Sequence, residues 1–338
     1  MLVSSLLSPL LAPVLGWDHD VINAAPHLEG WVITQQVFEL TREVPSPSPI
    51  IEQVSQTVDP SVRPLLIWHG LGDNYNSSAI GKTIELIQSL HPGIQVFSIY
   101  ADQDSSTDQK LLMFGDANKQ IEEVCQRLSE IPSLLEGADA FGFSQGGLLL
   151  RGLAERCPSI KIHNLVTFGS PHMGVQDLPI CENDDWICKK RNALLKSQVW
   201  LDRVQHTVLP ALYFRDPAQL EQYMFHSYFL ADINNELAES FNGSYGERLA
   251  SLNRLVLVKF ARDTTLVPKE SAWFEEIDPV TGNLVPFDQT ALYQQDLIGL
   301  QQMHKKGKVE FFEVDEDHMA IPHDLLVSLA TEYTGGSR

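Results

Sequence analysis

The chain is short of positive charge: 24 Lys and Arg stand against 44 Asp and Glu, a formal net charge of -20 over 338 residues. A surface of that sign repels phosphate backbones, which excludes a nucleic-acid partner. Long apolar runs are also missing. No stretch reaches the ~18–20 unbroken apolar residues of a spanning helix, so there is no transmembrane segment and any lipid contact is peripheral. No period repeats, which excludes solenoids and coiled coils. Cysteine is scarce, with four residues, Cys125, Cys157, Cys181 and Cys188. Their spacing fits no zinc pattern, and neither a metal nor an organic cofactor is expected. Four is compatible with two bridges in an oxidising compartment and equally with four reduced thiols. Two tripeptides, Asn76-Ser77-Ser78 and Asn242-Gly243-Ser244, read as N-glycosylation acceptors and favour the secretory alternative.

What is present is an ordinary globular composition, 43% hydrophobic and 20% charged, enough to bury one large core. Residues 1–16 are apolar and leucine-rich but lack a basic start and are broken by Pro9 and Pro13. They read as a poor signal segment or as an arm packed on the domain. Prolines at 45, 47, 49 and 60 among serines and acidic residues mark a linker. Residues 1–62 are therefore expected to be an extension and 63–338 the domain. From Arg63 onward, short apolar runs alternate with helix-like segments. The runs are 64–68, 94–99, 138–143, 163–168, 255–260 and 309–314, and helical spacing is clearest over 108–131 and 145–156. That alternation predicts an α/β fold with a mostly parallel sheet covered on both faces. Over about 174–247 the pattern lapses into an aromatic, helix-prone stretch, read as a helical insertion.

Gly142-Phe143-Ser144-Gln145-Gly146 matches the nucleophile elbow G-x-S-x-G, standing between an apolar run and an amphipathic helix. There the chain turns sharply, exposes Ser144 Oγ and aims helix N-terminal amides at developing negative charge. In this fold the acid and then the base follow the nucleophile along the chain. His318, just past the apolar run 309–314, is the candidate base. His323 lies in a helix start and His304 on a charged surface. Asp263, just past the run 255–260, is the candidate acid, ahead of Asp315 and Asp317, which sit too near His318 on one loop. The oxyanion donors are expected to be the backbone amides of Gln145 and of Leu71 in the glycine-rich turn His69-Gly70-Leu71-Gly72. His69 is read as a loop-shaping residue with no acid partner in view.

Several longer blocks resemble the palmitoyl-protein thioesterases, lysosomal depalmitoylating enzymes of the α/β-hydrolase fold. They are Ile67 to Asp73, Gly142 to Gly147, Leu230-Ala231-Asp232-Ile233-Asn234, Val258 to Asp263, Thr290 to Asp296 and Asp317-His318. The similarity runs in order from about Pro64 to Pro322. It implies Ser144, Asp263 and His318 as nucleophile, acid and base, disulfides Cys125 with Cys157 and Cys181 with Cys188, a glycan on Asn242, and a lysosomal, vacuolar or secreted location. Tyr75 and Asn76 depart from the paired cysteines of some members, and Gly169-Ser170-Pro171-His172 is more lipase-like.

The implied activity is hydrolysis of long-chain acyl thioesters on cysteines of S-acylated proteins or peptides, through an acyl-enzyme, with the insertion walling an acyl groove. Two other readings are a lipase or carboxylesterase with the same site residues, and a binding protein that kept the fold without activity. An intact serine, acid and histidine argue against the second.

Overall fold

The computed structural model describes residues 58–177 and 196–338. Most of the expected N-terminal extension, and the expected Cys181–Cys188 bridge, lie outside the described residues. Eight strands are present among the described residues: β1 Leu65–Trp68, β2 Val96–Ile99, β3 Ala138–Phe143, β4 Ile162–Phe168, β5 Arg254–Phe260, β6 Glu276–Ile277, β7 Leu284–Val285 and β8 Val309–Val314. Six form one sheet in the order β2-β1-β3-β4-β5-β8, all parallel, while β6 and β7 make a separate antiparallel hairpin.

A parallel sheet requires crossovers that cover its faces, and the strand sequences are apolar on both sides for that reason. In β1, Leu66 and Trp68 join one buried cluster while Leu65 and Ile67 join another on the opposite face. All four are at most 1% exposed. Each such side chain contributes roughly 1.5–3 kcal/mol by leaving water, which fixes the strand in the middle of the molecule.

The principal helices are α1 Ser78–Leu90, α2 Ser105–Leu111, α3 Ala117–Ser129, α4 Gln145–Arg156, α5 Gly243–Ala250 and α6 His323–Tyr333. The single helical stretch read over 108–131 is in fact two helices. Asp104 caps α2 through the amide of Thr107, and Asp116 caps α3 through the amides of Asn118 and Lys119. A capping aspartate satisfies amides that a continuous helix would leave to its own carbonyls, so Asp116 restarts the helix rather than extending it. A disulfide, Cys125–Cys157, joins α3 to the end of α4.

Between β4 and β5 the chain makes a long excursion of short helices, among them Asp202–Gln205, Leu220–His226 and Leu230–Ile233. Its aromatics divide. Tyr213, Phe214, Tyr223 and Phe229 are buried, whereas Leu201, Tyr228 and Phe225 are exposed, Phe225 by 84%. The excursion is anchored to α4 through Arg151, which is fully buried. Arg151 pairs with Glu155 Oε1 at 3.0 Å, donates to Asn234 Oδ1 at 2.8 Å and reaches the carbonyls of His172 and Ile233. Arg156 pairs with Asp232. The Leu230 to Asn234 block thus supplies the amide for the buried Arg151 and the carboxylate for the partly buried Arg156.

At the opposite end of the sheet from the elbow, Asp139 on β3 is buried beside Arg63 at 3.5 Å and accepts the amide of Asn164. Burial outweighs these partners and raises its pKa to about 7. Arg63 itself donates to the carbonyl of Ser337 at 2.7 Å, tying the start of the domain to its end. Among the described residues no helix is long and apolar enough to cross a membrane.

Candidate active site

Ser144 follows the last residue of β3 and stands as N-cap of α4, with φ 50° and ψ -122°. Positive φ is strained for a residue with a Cβ, and it persists because the surroundings over-determine it. The Ser144 amide donates to Phe168 O at 2.7 Å, and its carbonyl accepts from Gly147 at 3.1 Å. The glycine at 146 has a steric reason. A Cβ there would sit 2.2 Å from Trp68 O and 2.3 Å from His69 O, so only glycine lets α4 close against the turn after β1.

Three loops at the carboxyl ends of β3, β5 and β8 bring Ser144, Asp263 and His318 together. His318 Nε2 lies 3.0 Å from Ser144 Oγ, and His318 Nδ1 lies 2.5 Å from Asp263 Oδ2. The other carboxylate oxygen of Asp263 accepts the amides of Thr265 at 2.8 Å and Leu266 at 2.9 Å, which fixes the plane the imidazole meets. Asp263 is buried and the His318 side chain is 14% exposed, so the hydroxyl face stays reachable. Chemically, a hydroxyl beside an imidazole whose far nitrogen is held by a carboxylate can lose its proton as the oxygen attacks a carbonyl.

The neighbours on the His318 loop are otherwise engaged. Asp315, Glu316 and Asp317 all face the Arg262 guanidinium, with Asp315 Oδ1 at 3.4 Å and Asp317 Oδ1 at 3.5 Å. Arg262 N also donates to Glu316 O at 3.0 Å. His323 begins α6, and His304 is exposed with its Nδ1 3.0 Å from Tyr293 OH. His172 is fully buried, stacked on Phe274 at 4.5 Å and 3.0 Å from Thr167 Oγ1. Burial and then the charge of Arg151 hold its pKa well below the ordinary histidine value.

The turn after β1 lies directly against the elbow. A Cβ on Gly70 would be 3.1 Å from both Phe143 O and Ser144 Cβ. Leu71, next in that turn, is half-buried, and Gln145 is buried at the head of α4. The Gln145 side chain donates to Leu112 O at 2.8 Å and accepts from Tyr213 OH at 3.0 Å. The reading of His69 needs correction, because it does have an acid partner. His69 is fully buried, and its Nε2 lies 2.9 Å from Asp108 Oδ2. Asp108 belongs to α2, far along the chain, and a carboxylate inside a helix carries no sequence signal that it faces a histidine on another loop.

Asn76 and Asn242 are both exposed. Asn242 caps α5, its Oδ1 accepting the amide of Ser244 at 3.1 Å and Ser244 Oγ at 2.8 Å.

The family described as palmitoyl protein thioesterase matches residues 64–318 of the chain. Palmitoyl-protein thioesterase 1 of Caenorhabditis elegans is 38% identical over 78% of this chain and 89% of its own length. Palmitoyl-protein thioesterase 3 of Dictyostelium discoideum is 29% identical over 78% and 87%. Lysosomal thioesterase PPT2-B of Xenopus laevis is 28% identical over 75% and 85%. Among solved structures, a monoacylglycerol lipase of Paleococcus ferrophilus is 14% identical over 84% of this chain and 100% of its own, with a TM-score of 0.42. With a family match that spans the whole sheet and every loop at its carboxyl ends, the chain belongs to the palmitoyl protein thioesterase family: it is a thioesterase built on the α/β-hydrolase fold.

Proposed function

We propose that this thioesterase removes long-chain fatty-acyl groups from cysteines of S-acylated proteins or peptides, with Ser144 as nucleophile, His318 as base and Asp263 as the acid that orients it. The observation that carries the reading is the continuous chain from Ser144 Oγ to His318 at 3.0 Å and on to Asp263 at 2.5 Å. Ser144 Oγ attacks the thioester carbonyl as His318 Nε2 takes its proton, and the oxyanion meets the amides of Leu71 and Gln145. The substrate cysteine departs as His318 returns the proton to its sulfur, and a free pKa of ~8.5 makes it a better leaving group than an alcohol. Water then attacks the acyl-Ser144 ester as His318 takes its proton, and His318 passes that proton to Ser144 Oγ as the fatty acid leaves.

The acyl chain is held by burial, each methylene adding ~0.8 kcal/mol. The excursion between β4 and β5 is the proposed wall of that groove, its surface carrying the exposed Leu201, Phe225 and Tyr228. Relatives named lysosomal thioesterases favour a lysosomal location, and the exposed sequons at Asn76 and Asn242 suit the secretory route to it. The deciding experiment compares palmitoyl-cysteine peptide with an oxygen-ester analogue for the wild type and Ser144→Ala. Thioester turnover that disappears in Ser144→Ala supports the proposal; an oxygen ester turned over faster than the thioester makes the protein an esterase first.

A further inference from the structure

Helix α2 touches both places from which the oxyanion amides would come. Asp108, fully buried in α2, has Oδ2 2.9 Å from His69 Nε2. The His69 ring is equally buried, turned somewhat off the hydrogen-bond line to Asp108, and its other nitrogen, Nδ1, is 3.1 Å from Gly70 O. The same carboxylate accepts the amides of Tyr75 at 3.0 Å and Ala101 at 2.7 Å, so it binds the loops after β1 and β2 to one helix. One residue on, Gln109 donates its side-chain amide to Gly72 O. At the end of α2, Leu112 O accepts the Gln145 side chain at 2.8 Å. The turn 69–72 and the head of α4 are thus held from one short stretch, Asp108 through Leu112. None of these side chains takes part in proton transfer at Ser144.

We infer that Asp108 and His69, with Gln109, are positioning residues of the oxyanion hole: α2 sets the spacing between the Leu71 amide and the Gln145 amide through these contacts. The inference rests on Ser144 being the nucleophile. The physical reason is that two amides stabilise an oxyanion only when both point at one spot about 3 Å away. Those two amides belong to separate loops that meet by close packing at Gly70 and Gly146, and the side-chain contacts from α2 add directional ties to that packing. A buried carboxylate that binds amides of two loops and contacts a histidine at the base of the turn is rigid where an exposed one is not.

The test uses the full-length protein as wild type and as His69→Gln, Asp108→Asn and Gln109→Leu. Active sites are counted by end-point fluorophosphonate labelling, so that misfolded molecules drop out. Per labelled site, kcat and KM are measured on a palmitoyl thioester. Affinity is measured for a palmityl trifluoromethyl ketone, which adds to the serine and places an oxyanion in the hole, and for a palmityl thioether, which does not. The expected result is a kcat per site lowered about tenfold or more in His69→Gln and Asp108→Asn, short of the ~10²–10³ lost with a donor itself. Ketone affinity should fall by the same factor, with KM and thioether affinity within about twofold of wild type.

A normal kcat per site, unchanged ketone affinity, or a thioether affinity that falls in step overturns the inference. If His69→Gln and Asp108→Asn yield no labelled protein, Gln109→Leu decides by the same split, since it leaves the buried pair in place. Wild-type protein left unlabelled at Ser144 sinks the nucleophile reading and this inference together. Labelled wild type with unaltered variants sinks this inference alone.

Discussion

His318 meets Ser144 across 174 positions of sequence, Nε2 to Oγ at 3.0 Å, and the contact is possible because β3 and β8 are parallel strands that release their chains at the same edge of one sheet.

Asp263→Asn is expected to lower kcat by roughly 10⁴, because an amide facing His318 Nδ1 favours the wrong tautomer of the ring. The fold should survive, since the Asn side-chain oxygen can still accept the amides of Thr265 and Leu266 now held by Asp263 Oδ1. Steady-state kinetics beside a circular-dichroism melt checks both halves, and an enzyme within tenfold of wild type gives the orienting role to another group.

Gly146→Ala should cost both activity and stability. Its Cβ would stand 2.2 Å from Trp68 O, a backbone atom of a central strand that cannot give way. Overpacking of this kind costs about 1–3 kcal/mol, and the displacement falls on the turn beside Ser144. Urea unfolding together with the fluorophosphonate labelling rate reads the two effects, and wild-type values for both would contradict the packing described.

Removing the Cys125–Cys157 bridge by a double serine substitution should destabilise the protein by about 3–4 kcal/mol, from the chain entropy of a loop of this span, the two cysteines being 32 residues apart. The bridge joins α3 to the far end of α4, away from the elbow. Turnover at low temperature should therefore stay near normal while the denaturant midpoint drops.

Stability should decline as pH rises from about 4 to about 7. Burial raises the Asp139 carboxyl to about 7, and burial likewise raises Glu155 to about 7 against the opposing charge of Arg151. In that window the unfolded chain has released protons that the folded chain keeps, so unfolding is favoured as pH increases. Below the unfolded carboxylate range the two states hold the same protons and the contribution is constant. Asp139→Asn should flatten part of the slope in urea midpoints taken between pH 4 and pH 7. An unchanged slope means Asp139 is ionised throughout.

Turnover of acyl thioesters should rise with chain length, by up to roughly fourfold in kcat/KM per methylene if each is fully buried. A series from octanoyl to palmitoyl measures it. A flat profile would leave the acyl groove without a role.

The six strands of the main sheet and the tight turn at Ser144 are legible in the chain alone, because those are local matters. An apolar run such as Leu65 to Trp68 is buried wherever it goes, and Gly142, Gly146 and Gly147 around Ser144 announce a turn too tight for larger residues. Local spacing is blind to a cap: the helical period over 108–131 is shared by two helices, the second starting at Asp116. That Asp108 faces His69, that Leu112 receives Gln145, and that Arg262 takes up the acidic residues before His318 follows from packing alone. Such contacts join chain segments through side chains whose direction depends on how whole helices pack on the sheet. A hydrophobic period records which face a residue is on and nothing of what stands opposite it.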